Sequence, residues 1–444
     1  MNDLYRKKRK RDMSRNMIRH DDSEEIVSRL KRMQARKNKV RFWLVFGGIV
    51  LAILVAVGAF LAFRFYRYTG YEMKWEKELP EGSFSGYEHF GENVVRYSHD
   101  GASYMNKDGD DVWVDTYEMA NPKVYVSGEY ICIYDSLGTQ IRIYNQAGLI
   151  GSANTLKPVT KAVIAENGVC AAILEDNDAA YITFFKKDGS SLDIIIKSRL
   201  EGDGYPVDIA LSPEGTQLIS AFAYLDGGVM RSKIVFYDFS EIGKSIPNRL
   251  VGGFEEDFTE SVVARVRFVN STYSYAVADT GIYIFSSKNI SSPELVQKIE
   301  TGEHIESIMH SGKHFGVIYS DLSSGKAVKE NTAEEETKTA DSKDEKEKKP
   351  EEETEELKNY RLVIYNADGS ILFKREFDEQ YDTFIADDSF VYLINDDICT
   401  IINMHGIVKF SDFMEDQARM ITHGNMPGNF IFSGSTYMRD YQFK

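Results

Sequence analysis

The stretch VIYNADGSILF, residues 363–373, decides the fold, because the chain repeats it. RIYNQAGLIG at 142–151 is a close copy, and TFFKKDGSSL at 183–192, SYMNKDGDDV at 103–112 and TIINMHGIVKF at 400–410 are looser ones. Aligned on the pattern apolar, apolar, polar, x, x, Gly, the polar position falls at Asn106, Asn145, Lys186, Asn366 and Asn403. The glycine follows at Gly109, Gly148, Gly189, Gly369 and Gly406. A tight hairpin needs a residue that tolerates positive φ, and an Asn or Asp just before it bonds its own backbone. Each copy therefore reads as two strands joined by a tight turn.

Two degenerate copies, IVFYDFSEIG around Asp238 and IYIFSSKNI around Ser286, fill the gap, and STYMRDYQFK around Arg439 ends the series. The spacings are 39, 41, 52, 48, 80, 37 and 36, the 80 containing one insertion. Short alternating apolar runs separated by Gly, Asp and Asn make the region all-β. Units of about 40 residues with four short strands are propeller blades, each burying its faces only against its neighbours. The expected fold is all-β, a β-propeller of eight blades, with seven as the alternative count. Only five residues follow Arg439, so the last blade lacks its outermost strand. YEMKWEKEL, 71–79, resembles the outer strands DVWVDTYEM and ILFKREF and is the spare. Pairing the two ends would close the ring and hide a sheet edge.

Ahead of the repeats, residues 42–63 are 22 uncharged residues, FWLVFGGIVLAILVAVGAFLAF. As a helix they reach about 33 Å, enough for a hydrocarbon core of ~30 Å. The 41 residues before them hold 15 Lys or Arg, whereas only Arg64 and Arg67 follow closely. Positive-inside logic puts the N-terminus in the cytoplasm and the propeller outside. Trp43 at one end and Phe65, Tyr66 and Tyr68 at the other suit the aromatic belts of the two interfaces. A cleaved signal peptide would have a shorter apolar core and a small-x-small site, so an uncleaved signal anchor is expected. Within the head, Asp22 and Glu25 have capping-box spacing and Ile26, Leu30 and Met33 share a helical face, which predicts a short basic amphipathic helix lying at anionic headgroups. The predicted layout is a basic cytoplasmic head over 1–41, a transmembrane helix over 42–63 and an extracytoplasmic propeller over 69–444. Inside the propeller, the Glu- and Lys-rich tract 323–359 has almost no large apolar residues and reads as a disordered insert.

The net charge of −16 averages two opposite parts: 17 basic against 6 acidic residues over 1–67, then 36 against 63. An acidic body of that kind excludes nucleic acid as the partner, since phosphate binding needs a basic surface. Cys132, Cys170 and Cys399 sit in apolar runs of different repeats, with no short spacing, and read as small buried hydrophobes rather than a disulfide framework or zinc site.

Candidate chemistry is sparse. His304, His310 and His314 form the densest histidine cluster, but the intervening SGK is a strand-to-strand turn, so His310 and His314 flank a hairpin and are weak metal candidates. Asp108, Asp110 and Asp111 suggest a calcium loop, yet the glycine is misplaced and the distal glutamate of an EF-hand is missing; Asp108 and Asp110 fit a turn better. No nucleophile elbow, phosphate loop or paired carboxylate stands out, so no catalytic residue, metal or cofactor is expected.

The phrase Ser212-Pro213-Glu214-Gly215 resembles the blade motif of WD40-like and TolB-type propellers, and the rhythm of Asp-Gly then outer strand is similar to quinoprotein-type propellers. The repeated tryptophan docking of the latter is missing, with Trp75 and Trp113 the residues available. Basic head, single helix and acidic propeller together resemble a family of membrane-anchored propeller proteins of Gram-positive bacteria with no established activity. The expected role is a binding or scaffold module at the cell surface, with a protein, peptide or envelope partner on the propeller face. A single-pass sensor is the alternative, and a quinoprotein-like or hydrolytic enzyme a more distant one.

Overall fold

The computed structural model describes residues 2–80, 84–320, 359–414 and 416–444, which divide into two units, 1–66 and 67–444. The first unit is one continuous helix, Asn2–Phe65. No glycine or proline interrupts it before Gly47, and Lys, Arg and Met are good helix formers, so the Asp22–Glu25 spacing lies inside the helix instead of opening it. Its segment Arg41–Leu61 has a mean hydropathy of 2.8 and is long and apolar enough to cross a membrane. Leu30 and Met33 are exposed on the helix surface.

The second unit is an eight-bladed propeller: among the described residues, eight four-stranded antiparallel sheets follow one another along the chain. Blades 1 to 7 run from Phe84 to Phe413, and blade 8 takes three strands from the C-terminus, Met420–His423, Asn429–Ser433 and Tyr437–Phe443. Its fourth strand is Tyr71–Glu78, paired antiparallel to Tyr437–Phe443 with Tyr71 opposite Phe443 and Glu78 opposite Tyr437. The predicted closure by the two termini is therefore present.

The second and third strands of each blade read as near-continuous apolar runs because both faces are buried, each against a different neighbour. Ile131 and Ile133 point into the core shared with blade 1, and Cys132 and Tyr134 into the core shared with blade 3. Eight such cores, one per blade boundary, make up the interior; Leu79, Met438 and Ile431 meet Tyr87, Val94 and Met105 across the boundary that the termini close.

The repeated phrase joins the third strand of a blade to its outermost strand. At Asn366, the backbone N–H donates to the Ser370 carbonyl (2.8 Å) and the Gly369 N–H returns to the Asn366 carbonyl (3.0 Å), with Gly369 at φ +84°. In blade 8 the same bond pair links the first and last residues of the ring: the Lys444 N–H donates to the Gly70 carbonyl at 2.9 Å, and the Gly70 N–H to the Lys444 carbonyl at 3.2 Å. The eighth hairpin is thus a hairpin cut open, and its polar position is Lys444, not Arg439. Arg439 lies mid-strand, opposite Glu76. Reading by sequence placed the copy five residues early because no glycine follows to mark the turn.

The phrase's glycine also serves the joint between blades. At Gly109 (φ +77°) an added Cβ would lie 3.3 Å from the Trp75 ring on blade 8's outer strand. Trp113, on blade 1's outer strand, approaches the equivalent Gly148 and stacks on Tyr144 of blade 2, centroids 5.0 Å apart. Phe373 fills the same place against Gly406. The tryptophans therefore do occupy docking positions, with phenylalanine substituting elsewhere.

The acidic insert at 323–359 falls, except for its last residue, outside the described residues. Its flanks are described: His314–Ser320 and Tyr360–Asn366 pair as adjacent strands, Ser320 opposite Tyr360. Since these strand ends already meet, deleting 324–357 is expected to shift the stability of the propeller by no more than about 0.5 kcal/mol, as for surface changes generally. A loss above ~2 kcal/mol by thermal or urea unfolding would show that the segment packs on the ring.

Candidate functional site

The innermost strand of every blade ends at one mouth of the central channel, because all eight run in the same sense. Their last residues and the turns after them enclose a recess of about 770 Å³. Glu88 and His89 come from blade 1, Tyr125 from blade 2, Arg267 from blade 5, His310 from blade 6, Asp387 from blade 7 and His423 from blade 8. Blade 3 adds Glu166 and blade 4 Leu211 and Pro213. The Ser212–Gly215 phrase forms this blade-4 turn, with the Gly215 N–H donating to the Ser212 carbonyl at 2.8 Å.

Deep in the recess, the Arg267 guanidinium lies over the Tyr125 ring at 4.8 Å from its centroid, a cation–π contact. It makes no ion pair or hydrogen bond with another described residue. The nearby Asp208 is already satisfied: Lys161 Nζ lies 2.9 Å from one carboxylate oxygen, and the Val266 N–H donates to the other at 2.9 Å. Burial works against the Arg267 charge, but Tyr125, Tyr275, Glu88 and Asp208 outweigh it and raise its pKa. Glu88 is pushed up to about 7 by burial, only partly offset by Arg267. Burial and Arg267 hold the His310 pKa well below the usual imidazole range. His89 is also lowered, chiefly by burial. At neutral pH both imidazoles are therefore uncharged, and His310 Nδ1 and His89 Nε2 are buried without a hydrogen-bond partner.

Nearer the surface the mouth is acidic and well bonded. Asp387 accepts from Tyr392 Oη (2.8 Å) and from the N–H groups of Ser389 and Phe390, and His423 Nδ1 lies 3.0 Å from its carboxylate. Burial alone would raise the Asp387 pKa, but these partners bring it below its ordinary value. Glu92 pairs with Lys107 at 3.4 Å and Asp388 with Lys313 at 3.3 Å. His423 and Asp387 have the relation of a catalytic pair, yet no described serine or cysteine donates to His423. The arrangement offers selective binding: one half-buried guanidinium that no described side chain pairs with, neutral imidazoles and an acidic rim.

The raised Glu88 pKa has a measurable consequence. The unfolded carboxyl loses its proton near 4.5, the folded one near 7, so stability falls as pH rises between those values, and the whole cost is present above 7. Such a shift corresponds to at most about 3 kcal/mol, and water in the recess reduces it. Glu88→Gln is expected to stabilise the propeller by about 1–2 kcal/mol at pH 8 and to change nothing at pH 4, read by urea unfolding at both pH values. An equal effect at the two pH values would contradict the protonation argument.

Of the residues singled out from sequence, His310 is in the recess beside Arg267, within electrostatic reach. His314 starts the next strand and faces Asp388 and Lys313 electrostatically, and His304 is exposed at the far end of blade 6's inner strand. Asp108 and Asp110 are in blade 1's outer hairpin, where Asp110 pairs with Lys77 of the closing strand at 3.3 Å. Among the described residues no three His, Cys, Asp or Glu side chains gather as a metal site. Cys132 and Cys170, widely separated in sequence, meet across the boundary of blades 2 and 3 with sulfurs 3.8 Å apart as free thiols. Their mutual contact and burial push the Cys132 thiol well up, so it stays protonated and unreactive. Sequence reasoning missed Arg267, Glu88, Tyr125 and Asp387. The signal that locates them is a second repeat, the end of each innermost strand, visible as YEHFGEN, VYVSGEY, VRFVNST and FIADDSF once the blades are aligned there.

No curated protein matches the chain in sequence. Among solved structures, BamB from Moraxella catarrhalis is similar at 12% identity, covering 85% of this chain and 98% of its own, with a TM-score of 0.44. The Pan2 WD40 domain of Neurospora crassa is similar at 8% identity, with 84% and 94% covered and a TM-score of 0.39. A eukaryotic initiation factor is similar at 10% identity, with 83% and 88% covered and a TM-score of 0.45. The pattern of the whole propeller, from residue 64 to residue 442, matches one family, and the chain belongs to it: the family of unknown function DUF5711.

Proposed function

We propose that the chain is a single-pass membrane protein with its N-terminus in the cytoplasm, and that its propeller is a binding or scaffold module outside the membrane whose working face is the channel mouth. The observation that carries the binding role is the convergence of eight strand ends on one recess that holds an unpaired guanidinium and unpartnered imidazoles. Buried polar groups without partners cost stability, and a site that tolerates them fits a ligand that satisfies them. The anchoring rests on Arg41–Leu61, and the orientation on the basic residues before it.

Orientation is tested by single cysteines at Ser14 and Ser342, the natural cysteines being buried. An impermeant thiol reagent on intact cells with a permeable wall is expected to label Ser342→Cys and not Ser14→Cys; the reverse pattern would overturn the orientation. For the binding face, a photo-crosslinking residue is placed at the exposed rim position Glu166, at Val114 on an outer strand, and at Val229 on the long hairpin of blade 4, whose tip exposes Leu225, Val229 and Met230. Discrete adducts from Glu166 and none from Val114 are the expected result. Adducts from Val229 alone would move the docking surface to the hairpin tip, and equal labelling at all three sites would remove the case for the channel mouth.

A further inference from the structure

We infer that the channel mouth holds a short peptide segment by its free terminal carboxylate, which pairs with Arg267 while the adjoining peptide groups meet His310 and His89. This rests on the channel mouth being the binding face. The first argument is charge. Arg267 is the basic group of the recess that no described residue neutralises directly: Lys161 is taken by Asp208, Lys107 by Glu92 and Lys313 by Asp388. Arg265, two residues back on the same strand, acts electrostatically on Tyr275 in the same direction as Arg267. A guanidinium presents two parallel N–H groups that match a carboxylate. A ligand with one negative charge completes it, whereas a phosphate dianion would have to pass Glu92, Glu166, Asp387 and Asp388 with one guanidinium in return.

The second argument is hydrogen bonding. His310 Nδ1 and His89 Nε2 are buried without partners, and a neutral imidazole either donates or accepts. Both rings line the recess, and peptide groups supply both kinds of partner to a nitrogen that turns toward them, whereas a bare ion supplies one. The third is size. About 770 Å³ is within the range of pockets that enclose small organic ligands, roughly 300–1,000 Å³, and far exceeds what a single anion needs. The acidic rim then favours neutral or basic residues in the part of the peptide that leaves the mouth.

Glu88 sets the pH dependence. The groups around it and Arg267 are Tyr97 and His89 on blade 1, Tyr125 on blade 2, Lys161 on blade 3, Asp208 on blade 4, Tyr275 on blade 5 and His310 on blade 6. With its carboxyl pushed up to about 7, Glu88 competes for Arg267 at pH 8 and is largely protonated at pH 6, when it can donate to a bound carboxylate. Binding should therefore be tighter at pH 6 than at pH 8.

The test uses the full-length protein in detergent, immobilised, with a random tripeptide library in two forms, free carboxyl terminus and terminal amide. Retention of the free-acid peptides is expected to exceed that of the amides at least about ten-fold, the lower end of what a charge-assisted hydrogen bond contributes. Arg267→Gln is expected to abolish the difference, Arg267→Lys to keep part of it, and pH 6 to strengthen it. Equal retention of acid and amide forms by the wild-type protein, or no retention of either, would overturn the inference without depending on any variant folding. Displacement by inorganic phosphate together with equal peptide retention would also overturn it, in favour of a simple anion site. If the library fails while crosslinking from Glu166 still captures a partner, the binding module stands and the carboxylate is wrong; if both fail, the channel mouth itself is the wrong face.

Discussion

A propeller that begins at Gly82 is expected to aggregate or to lose at least about 5 kcal/mol of stability, while one that begins at Thr69 folds normally. The missing piece, Tyr71–Glu78, supplies the outermost strand of blade 8, and it pairs over its whole length with Tyr437–Phe443. Without it that strand becomes an open edge, Leu79 leaves the core between blades 8 and 1, and Gly109 loses the Trp75 ring it packs against. A loss of that size is comparable with the entire stability of many domains. Deleting Tyr437–Lys444 should have an equal effect, because both ends form one sheet. The pairing is checked directly with Glu72→Cys and Gln442→Cys, opposite one another, the first exposed and the second half-buried. Facing residues of an antiparallel pair lie about 4.5–5.5 Å apart at Cα, within disulfide range. The double variant should oxidise readily and gain resistance to unfolding; a folded protein whose two cysteines never join would exclude this closure.

Asp416→Ala is expected to destabilise the propeller by about 3–5 kcal/mol, the usual effect of removing one partner from a buried charge network. Its carboxylate is completely buried, accepts from Tyr437 Oη at 2.5 Å and Tyr441 Oη at 2.8 Å, and lies 3.2 Å from Arg439 Nη1. Arg439 reaches in turn to Glu76 on the closing strand, with 2.8 Å between nitrogen and oxygen. A single carboxylate on the segment joining blade 7 to blade 8 thus holds the C-terminal strand directly and, through Arg439, the closing strand. Truncation leaves Tyr441 Oη buried with no acceptor and Arg439 with half its partners. Glu76→Gln, at the exposed end of the same network, should cost below about 1 kcal/mol. Comparable losses for the two variants, measured by urea unfolding, would show that the network is not organised around Asp416.

How much of this was legible in the sequence follows from how local each feature is. The hairpin phrase is written in consecutive residues, so Asn366 to Gly369 announces its turn wherever it occurs. The apolar run before Arg64 is equally local, and its length alone makes it a candidate membrane span. The spare strand at 71–79 needed one further step, the arithmetic of a last blade that runs out of chain. Even so, the register was misplaced at Arg439, because the eighth hairpin has no turn to read.

The recess was not legible, for a reason of distance. Glu88, Tyr125, Arg267 and His310 are each one residue at the end of a different strand, and only the closed ring brings the strand ends together. Neither is a charge state a property of the residue: nothing in the sequence distinguishes Glu88 from other carboxylates, and burial pushes it up to about 7 despite Arg267 beside it. The adjacency of Cys132 and Cys170 is equally invisible along the chain, since it arises where the second strands of neighbouring blades face each other. By itself, then, the sequence determined the blades and the strand that closes them and left their number at eight or seven, because hairpin chemistry and hydrophobic alternation act between near neighbours. The tertiary structure alone decided which side chains share the channel mouth and which of them lack a partner, because those depend on eight separate strand ends meeting and on the water their meeting excludes.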